Sequence, residues 1–441
     1  MTAAIPAVAL RWRSALHALS DNDRRALLDR ATSIDDAVRA RTAEIVARVR
    51  REGDAALRAL AQELDGVALD ALEVPRSACT RALDAIDPKL RRAMERTRDN
   101  VRRVHDAFRP ASQECESEPG IVVGRRPDPL GRVGVYAPGG RATYPSSVLM
   151  GAVPARVAGV GEIVLCSPPA RDTGRPSSVV LAAAALAEVD RMFALGGAGA
   201  IAAMAFGTTT VPRVDRIVGP GNTYVAEAKL QVSHAVAIDS PAGPSELLVL
   251  CDDNADPALV ARELLAQAEH DPRAAVVAVA TSERMATSVI AELGARLGAQ
   301  PRAEIIAAAL AEQGAVLWTA SLDDAIAFAN AYAAEHLMLA LGDTDAVLAR
   351  VRNAGTVFVG GSASVAFGDY MTGANHVLPT GALARSYSGL STLDFVRWTT
   401  YQRVSEDAAR RVAADVATFA DAEGLPGHAA AARAWSAGGV R

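Results

Sequence analysis

RVGVYAP (Arg132–Pro138), EIVLCSP (Glu162–Pro168), RMFALGG (Arg191–Gly197) and RIVG (Arg216–Gly219) are four short apolar runs in one stretch of chain. Helical patterns separate them, near Ser146 to Ala158, Ser177 to Glu188 and Ala200 to Ala205. Such β-α alternation predicts a parallel sheet with helices on its faces. A second series follows in LLVLCD (Leu247–Asp252), AAVVAVAT (Ala274–Thr281), AVLWTA (Ala315–Ala320), LMLAL (Leu337–Leu341) and TVFVGG (Thr356–Gly361). Helices are predicted from Pro257, Ser282, Leu322 and Asp345 between these runs. Two series imply two sheet lobes with a cleft between them.

Outward from these lobes, residues 1–107 read as mainly helical. SIDDAVRARTAEIVARVRREGDAALRALAQEL is two helices broken at Gly53, and Pro88 to Phe108 is a third with proline in its first turn. The stretch Gly360 to Ser391 is rich in Gly, Ser and Thr and too long for an idle loop. The tail from Asp394 to Trp435 is predicted to return to helix.

The chain has 441 residues, 50% apolar and 22% charged, which is ample for a buried core. Net charge is −5 and the pI is near 5.9. Neither nucleic acid nor an anionic membrane is the expected partner. The basic stretch Arg91 to Arg103 is interleaved with acids and reads as a solvated face. Cys79, Cys115, Cys166 and Cys251 lie far apart, so neither a disulfide framework nor a thiolate zinc site is expected, and a reducing cytoplasm is the simplest home. No apolar run reaches the length of a membrane span.

Polar motifs interrupt this frame. In QAEHD, Gln267 and His270 stand at i and i+3 at the end of a helix, where one face can offer an oxygen and a nitrogen to a metal. In AEHL, Glu335 and His336 are adjacent and converge only where a helix ends irregularly. GDYMTGANH brings Asp369 and His376, and EGLPGH brings Glu423 and His428. PAGPSE presents Ser245 without the strained elbow of a serine nucleophile. GGAGAIA (Gly196–Ala202) has the G-x-G-x-x-A spacing of a dinucleotide loop, but Ala-rich helix starts produce it by chance. GPGN (Gly219–Asn222) either cradles an anion or is a turn with Asn222 as N-cap.

Together GVYAPGGRATYPSSVLM, VDRIVGPGNTYVAEAK, AIDSPAGPSELLV, LLAQAEHD, AEHL and GDYMTGANHVLPTGALAR resemble the histidinol dehydrogenase family, from REGDAAL to the EGLPGH tail. The resemblance implies an α/β fold: two Rossmann-like parallel-sheet lobes with helical N- and C-terminal extensions, in an intertwined homodimer. It divides the chain into an N-terminal helical segment (1–30), a discontinuous first α/β domain (31–136 and 245–390), a cofactor-side α/β domain (137–244) and a C-terminal helical tail (391–441) that reaches the partner subunit.

The implied activity is NAD-dependent oxidation of L-histidinol to L-histidine through L-histidinal, the last step of histidine biosynthesis, in the cytoplasm. The implied catalytic pair is Glu335 and His336. One Zn²⁺ per subunit is implied on Gln267, His270, Asp369 and His428. Substrate contacts fall on Ser245, Gln267, His270, His336, Asp369, Glu423 and His428, and NAD contacts on Tyr136 and Asn222. A third family NAD contact, a glutamine, is Gly199 here, and the proline of the family's P-E-H-L is Ala334. The competing reading within the fold is a zinc-dependent dehydrogenase of another polar alcohol. Glu423, which would meet the substrate amine, favours histidinol. A catalytically dead homologue would not need all these groups, and a thiol aldehyde dehydrogenase would need an activated cysteine in a polar or Gly-rich loop with an obvious basic partner, where none of the four cysteines sits.

Overall fold

The computed structural model describes residues 8–30, 35–139 and 143–436. Part of the GVYAPGGRATYPSSVLM motif (140–142) and Ser33 and Ile34 of the first predicted helix lie outside the described residues. The chain divides into two compact units, Met1–Phe108 with Leu130–Phe395, and Arg109–Pro129 with Val396–Arg441.

The first unit holds two sheets. One has the order Trp12–Ala15, Ala315–Trp318, Ala275–Ala280, Glu246–Cys251, His336–Ala340, Thr356–Val359, with every neighbouring pair parallel. Its central strands are apolar runs because both faces are covered by helices. Leu247 to Cys251 are fully buried, with alternate residues joining the core on either side of the sheet.

The other sheet has the order Glu73–Val74, Arg191–Ala194, Glu162–Ser167, Arg132–Tyr136, Arg216–Val218, Ala237–Ile238. It is parallel except for the two-residue edge Glu73–Val74. Arg132–Tyr136 is therefore a central strand of this sheet, and the expected division at 136/137 falls at its end. The order reverses on either side of that strand, where a doubly wound sheet opens a crevice.

The expected helical stretch on either side of Gly53 forms as Asp36–Glu52 and Asp54–Leu60, and Gly53 takes φ +57° between them. Glycine adopts that backbone at no steric cost. The N-terminal segment is not purely helical: Trp12–Ala15 extends the first sheet before the helix Asp21–Leu28. Helices at Arg76–Ala85 and Ala303–Gln313 join those expected.

The second unit contains an antiparallel sheet, Val396–Val404 with Ile121–Pro129 with Gln113–Glu118. The expected helical tail thus begins with a nine-residue strand, and its helices are Glu406–Ala422 and Pro426–Ser436. VRWTTYQRV is rich in the β-branched and aromatic residues that suit a pleated surface.

Candidate active site

The helix Leu322–Tyr332 ends at Ala333, which is buried and takes φ +52°. That left-handed residue breaks the helix abruptly, and His336 already opens the next strand. Glu335 sits at the junction. The irregular end lets the two neighbours converge: Glu335 Oε2 lies 3.3 Å from His336 Nδ1. Both are buried, 6% and 4% exposed, which leaves little water to screen their interaction.

Strand register places this pair at the amino-terminal edge of the first sheet, with His336 beside Leu247 and Thr356. His336 Nδ1 also lies 3.0 Å from the Glu246 carbonyl oxygen. A carbonyl only accepts, so the proton belongs on Nδ1 and the free electron pair on Nε2. Burial pushes the Glu335 carboxyl above its ordinary range, and the neighbouring imidazole opposes this without cancelling it. Burial by itself would lower His336. The Glu335 carboxylate beside it, then Asp369 and the Glu246 carbonyl, outweigh burial and raise His336 to about 9. A cation held at Asp369 would remove part of that support.

Asp369 lies on the short helix Val365–Tyr370, whose first N–H donates to Glu263 Oε2 at 3.0 Å. Asp369 Oδ1 is 3.9 Å from His336 Nε2, and the Asp369 carbonyl is 3.0 Å from His376 Nδ1. Burial lowers His376, while Asp369 pulls the other way and His336 and His270 add to the lowering.

The helix Pro257–Ala268, capped by Asp256, ends near the same histidines. Gln267 is 3% exposed. Exposed His270 follows one turn later, its N–H on the Gln267 carbonyl at 3.3 Å. Helix C-termini favour cations. An amide oxygen, an imidazole and a carboxylate make a nitrogen and oxygen donor set suited to zinc. Among the described residues no cluster of three or more His, Cys, Asp or Glu has metal-holding geometry. One of the four expected donors is an amide, and His428 belongs to the second unit. Ser245 is half-buried and leads into the strand Glu246–Cys251, its carbonyl taken by the Ala275 N–H at 3.0 Å.

The expected cofactor residues meet at the carboxyl ends of the second sheet. A cleft of about 780 Å³ is lined there by Arg41, Asp65, Tyr136, Ser177, Gly199 and Asn222, among others. That volume suits a sizeable ligand. The Tyr136 hydroxyl accepts the Gly197 N–H at 3.0 Å. Asn222 is an N-cap: its Oδ1 accepts from the N–H groups of Tyr224 and Val225, both at 3.1 Å. The N-cap reading of GPGN holds, and the capped turn lines the cleft.

Gly219 takes φ +118°, and any Cβ there would fall on the Tyr136 carbonyl. The turn is tied down from below. Lys229 Nζ donates to the Gly219 carbonyl at 3.1 Å and pairs with Asp239, which accepts the Gly219 N–H at 2.7 Å. At Gly199 a Cβ would meet Leu60 Cδ1 at 3.2 Å and Leu57 Cδ2 at 3.7 Å, so this wall of the cleft is apolar.

Glu423 ends the helix Glu406–Ala422 of the second unit and His428 lies in Pro426–Ser436, both exposed. The structure thus brings together Glu335, His336 and Asp369 on one sheet edge, and Tyr136 and Asn222 on another. Sequence reasoning gave no role to Glu246, Arg30, Lys229 or Asp239. A charged residue heading an apolar run, as Glu246 heads LLVLC, was the available signal.

The chain matches the profile of the histidinol dehydrogenase family over residues 28–435. It is similar to the histidinol dehydrogenase of Natronomonas pharaonis, 48% identical over 94% of this chain and 97% of that protein. The corresponding protein of Xanthomonas axonopodis pv. citri is 45% identical over 93% of this chain and 96% of its own length. The crystal structure of histidinol dehydrogenase from Elizabethkingia anophelis superposes with a TM-score of 0.92 at 32% identity, covering 97% of this chain and 98% of that one.

Proposed function

The chain belongs to the histidinol dehydrogenase family, and from that membership we propose how its own residues divide the work of oxidising L-histidinol to L-histidine. The enzyme is an oxidoreductase of histidine biosynthesis, and two successive oxidations pass through L-histidinal. The observation that carries the assignment of roles is the buried contact between Glu335 and His336.

NAD⁺ accepts one hydride in each oxidation. In the first, His336 in its neutral form, which a cation at Asp369 would favour by offsetting part of the charge that raises it, takes the alcohol proton at Nε2 as the carbinol C–H bond breaks, leaving an aldehyde. In the second, Glu335 takes a proton from water as its oxygen attacks the aldehyde carbon, giving the hydrate. The hydrate then gives up its own C–H hydride and two protons, leaving the carboxylate. The two NADH are thus matched by three released protons, one from the alcohol and two from the hydrate, and the added oxygen comes from water.

Gln267, His270, Asp369 and His428 are proposed to hold one zinc ion per subunit. Bound zinc would supply a Lewis-acid anchor for the nitrogen donors of the substrate. The buried Gln267 and the negative end of its helix support this set. Ser245 and Glu423 complete the substrate contacts, and Tyr136 and Asn222 hold NAD in the cleft. We place Glu423 and His428 in the partner subunit's site, through exchange of the C-terminal tail in a homodimer. Exposed Val416, Phe419, Leu425 and Trp435 on the tail helices support such an association. The division at 30, 244 and 390 is proposed as the functional one, with the cofactor-side lobe starting at Arg132 rather than 137 because Arg132–Tyr136 is a strand of its sheet, and with a cytoplasmic location. Among the described residues no helix is long and apolar enough to cross a membrane.

The test is NADH formation from L-histidinol and NAD⁺ with and without a chelator. Two NADH per substrate, lost on chelation and restored by zinc, is the expected result. No turnover by folded, zinc-loaded protein would sink the assignment.

A further inference from the structure

Arg30 and Glu246 form a buried ion pair beside the catalytic residues, their side chains 8% and 5% exposed. Arg30 binds as a fork, Nε to Oε1 and Nη2 to Oε2, both at 3.0 Å. Nη2 also reaches the Tyr332 carbonyl at 2.9 Å, and the guanidinium lies over the Tyr332 ring, 3.3 Å from its centroid. Glu246 is thereby fixed in both position and orientation.

Glu246 touches both halves of the catalytic pair. Its backbone N–H donates to Glu335 Oε2 at 2.7 Å. Its carboxylate Oε2 faces the Glu335 N–H at 3.4 Å, and Oε1 accepts from the Gly381 N–H at 2.8 Å. Its carbonyl meets His336 Nδ1 at 3.0 Å and so sets the tautomer. These bonds engage Glu335 Oε2 and leave Oε1 as the oxygen outside them.

A buried ion pair is a poor source of stability, because well-packed apolar residues often serve as well or better. This pair is spent where geometry matters. A displacement of about 1 Å at a reacting group costs on the order of a hundredfold in rate. We propose that Arg30 and Glu246 are positioning residues that aim the Glu335 carboxylate at the water of the second oxidation. The inference rests on the roles given above to Glu335 and His336.

It also gives the N-terminal segment a task. The strand Trp12–Ala15 is anchored on the far edge of the sheet by Ala315–Trp318, and the helix Asp21–Leu28 carries the chain to Arg30. The segment hands a guanidinium to a cluster whose other groups, Glu246, Glu335, His336 and Gly381, come from the first sheet and the loop after it.

The test is single turnover of the full-length, zinc-loaded enzyme with L-histidinol and saturating NAD⁺, resolving the two hydride transfers. The readout is the ratio of the second rate constant to the first. A misfolded fraction scales both amplitudes and leaves that ratio alone. Arg30→Gln is expected to lower the ratio about ten- to a hundredfold, with the KM for histidinol within about threefold of wild type. Arg30→Lys keeps the charge but loses the fork, and is expected to recover part of the ratio. Should Arg30→Gln fail to fold, Arg30→Lys decides alone: a ratio equal to wild type overturns the proposal. Glu335→Gln separates the two levels of inference. If it lowers the ratio and Arg30→Gln does not, the positioning role falls alone. If Glu335→Gln leaves the ratio unchanged, the role of Glu335 falls and the positioning role with it.

Discussion

Lys229 and Asp239 pair inside the first unit with side chains 2% and 5% exposed, and together they grip the backbone N–H and carbonyl of Gly219. Burial pushes the Asp239 carboxyl up, and Lys229 and the Gly219 N–H oppose it. Lys229→Met would leave that carboxyl alone in the core. The expected cost is about 3–5 kcal/mol of stability. Because the gripped turn carries Asn222, the KM for NAD⁺ should rise with it. Thermal unfolding together with NAD⁺ titration checks this, and a loss of stability at unchanged KM would detach the turn from cofactor binding.

Glu335→Gln removes the proposed base for water while keeping a side chain of the same shape. The second hydride transfer should slow by about a hundredfold or more, and the first by much less. Rapid quenching should show L-histidinal accumulating on the enzyme. Equal losses in both transfers would refute the split of roles.

His428→Ala should abolish zinc retention and activity while leaving the unfolding midpoint close to wild type, since the side chain is exposed. Metal analysis after gel filtration, alongside thermal melting, reads both quantities. Full activity in this variant would remove the tail from the ligand set.

Gly199 borders the cofactor cleft against Leu57 and Leu60. Gly199→Ala needs Leu60 to move by only a few tenths of an ångström and gains up to about 1 kcal/mol of helix propensity. Its stability should stay within about 1 kcal/mol of wild type. Gly199→Gln supplies the hydrogen-bonding group that the family resemblance implies at this position and should lower the KM for NAD⁺ at unchanged kcat. A raised KM would mean that the apolar wall is itself the better fit.

His105 is buried on the helix Pro88–Ala107, neither ring nitrogen has a hydrogen-bond partner among the described residues, and burial lowers it to about 4 from an ordinary 6.5. The unfolded chain therefore takes up this proton first. The contribution is whole above about pH 6.5 and drains away as the pH falls toward 4, by about 3 kcal/mol in all. His105→Leu should lose correspondingly less stability on acidification. Parallel stability curves for the two proteins between pH 7 and 4.5 would contradict this.

The two sheet lobes were legible because their strands are buried on both faces, so LLVLCD and AAVVAVAT stand out as unbroken apolar runs. The convergence of Glu335 and His336 was legible because AEHL falls where a helical pattern gives way directly to a strand. The third sheet was not legible. Every residue of QECESE is exposed, so no apolar alternation marks it, and VRWTTYQRV finds its partner only in a remote part of the chain. Arg30 was equally hidden, since no local pattern ties an arginine at a helix end to a glutamate 216 residues away.

That remote pairing has a consequence for synthesis. The hairpin Gln113–Glu118 with Ile121–Pro129 leaves the ribosome long before Val396–Val404, the strand that covers its open edge. At typical elongation rates the wait is roughly ten to fifty seconds. Through that interval the nascent chain carries an unpaired β-edge, a template for pairing with other chains. Chains stopped before residue 396 never cover it, so premature termination should yield aggregation-prone products, and translation speed through residues 130–395 sets how long each new molecule is exposed to that risk.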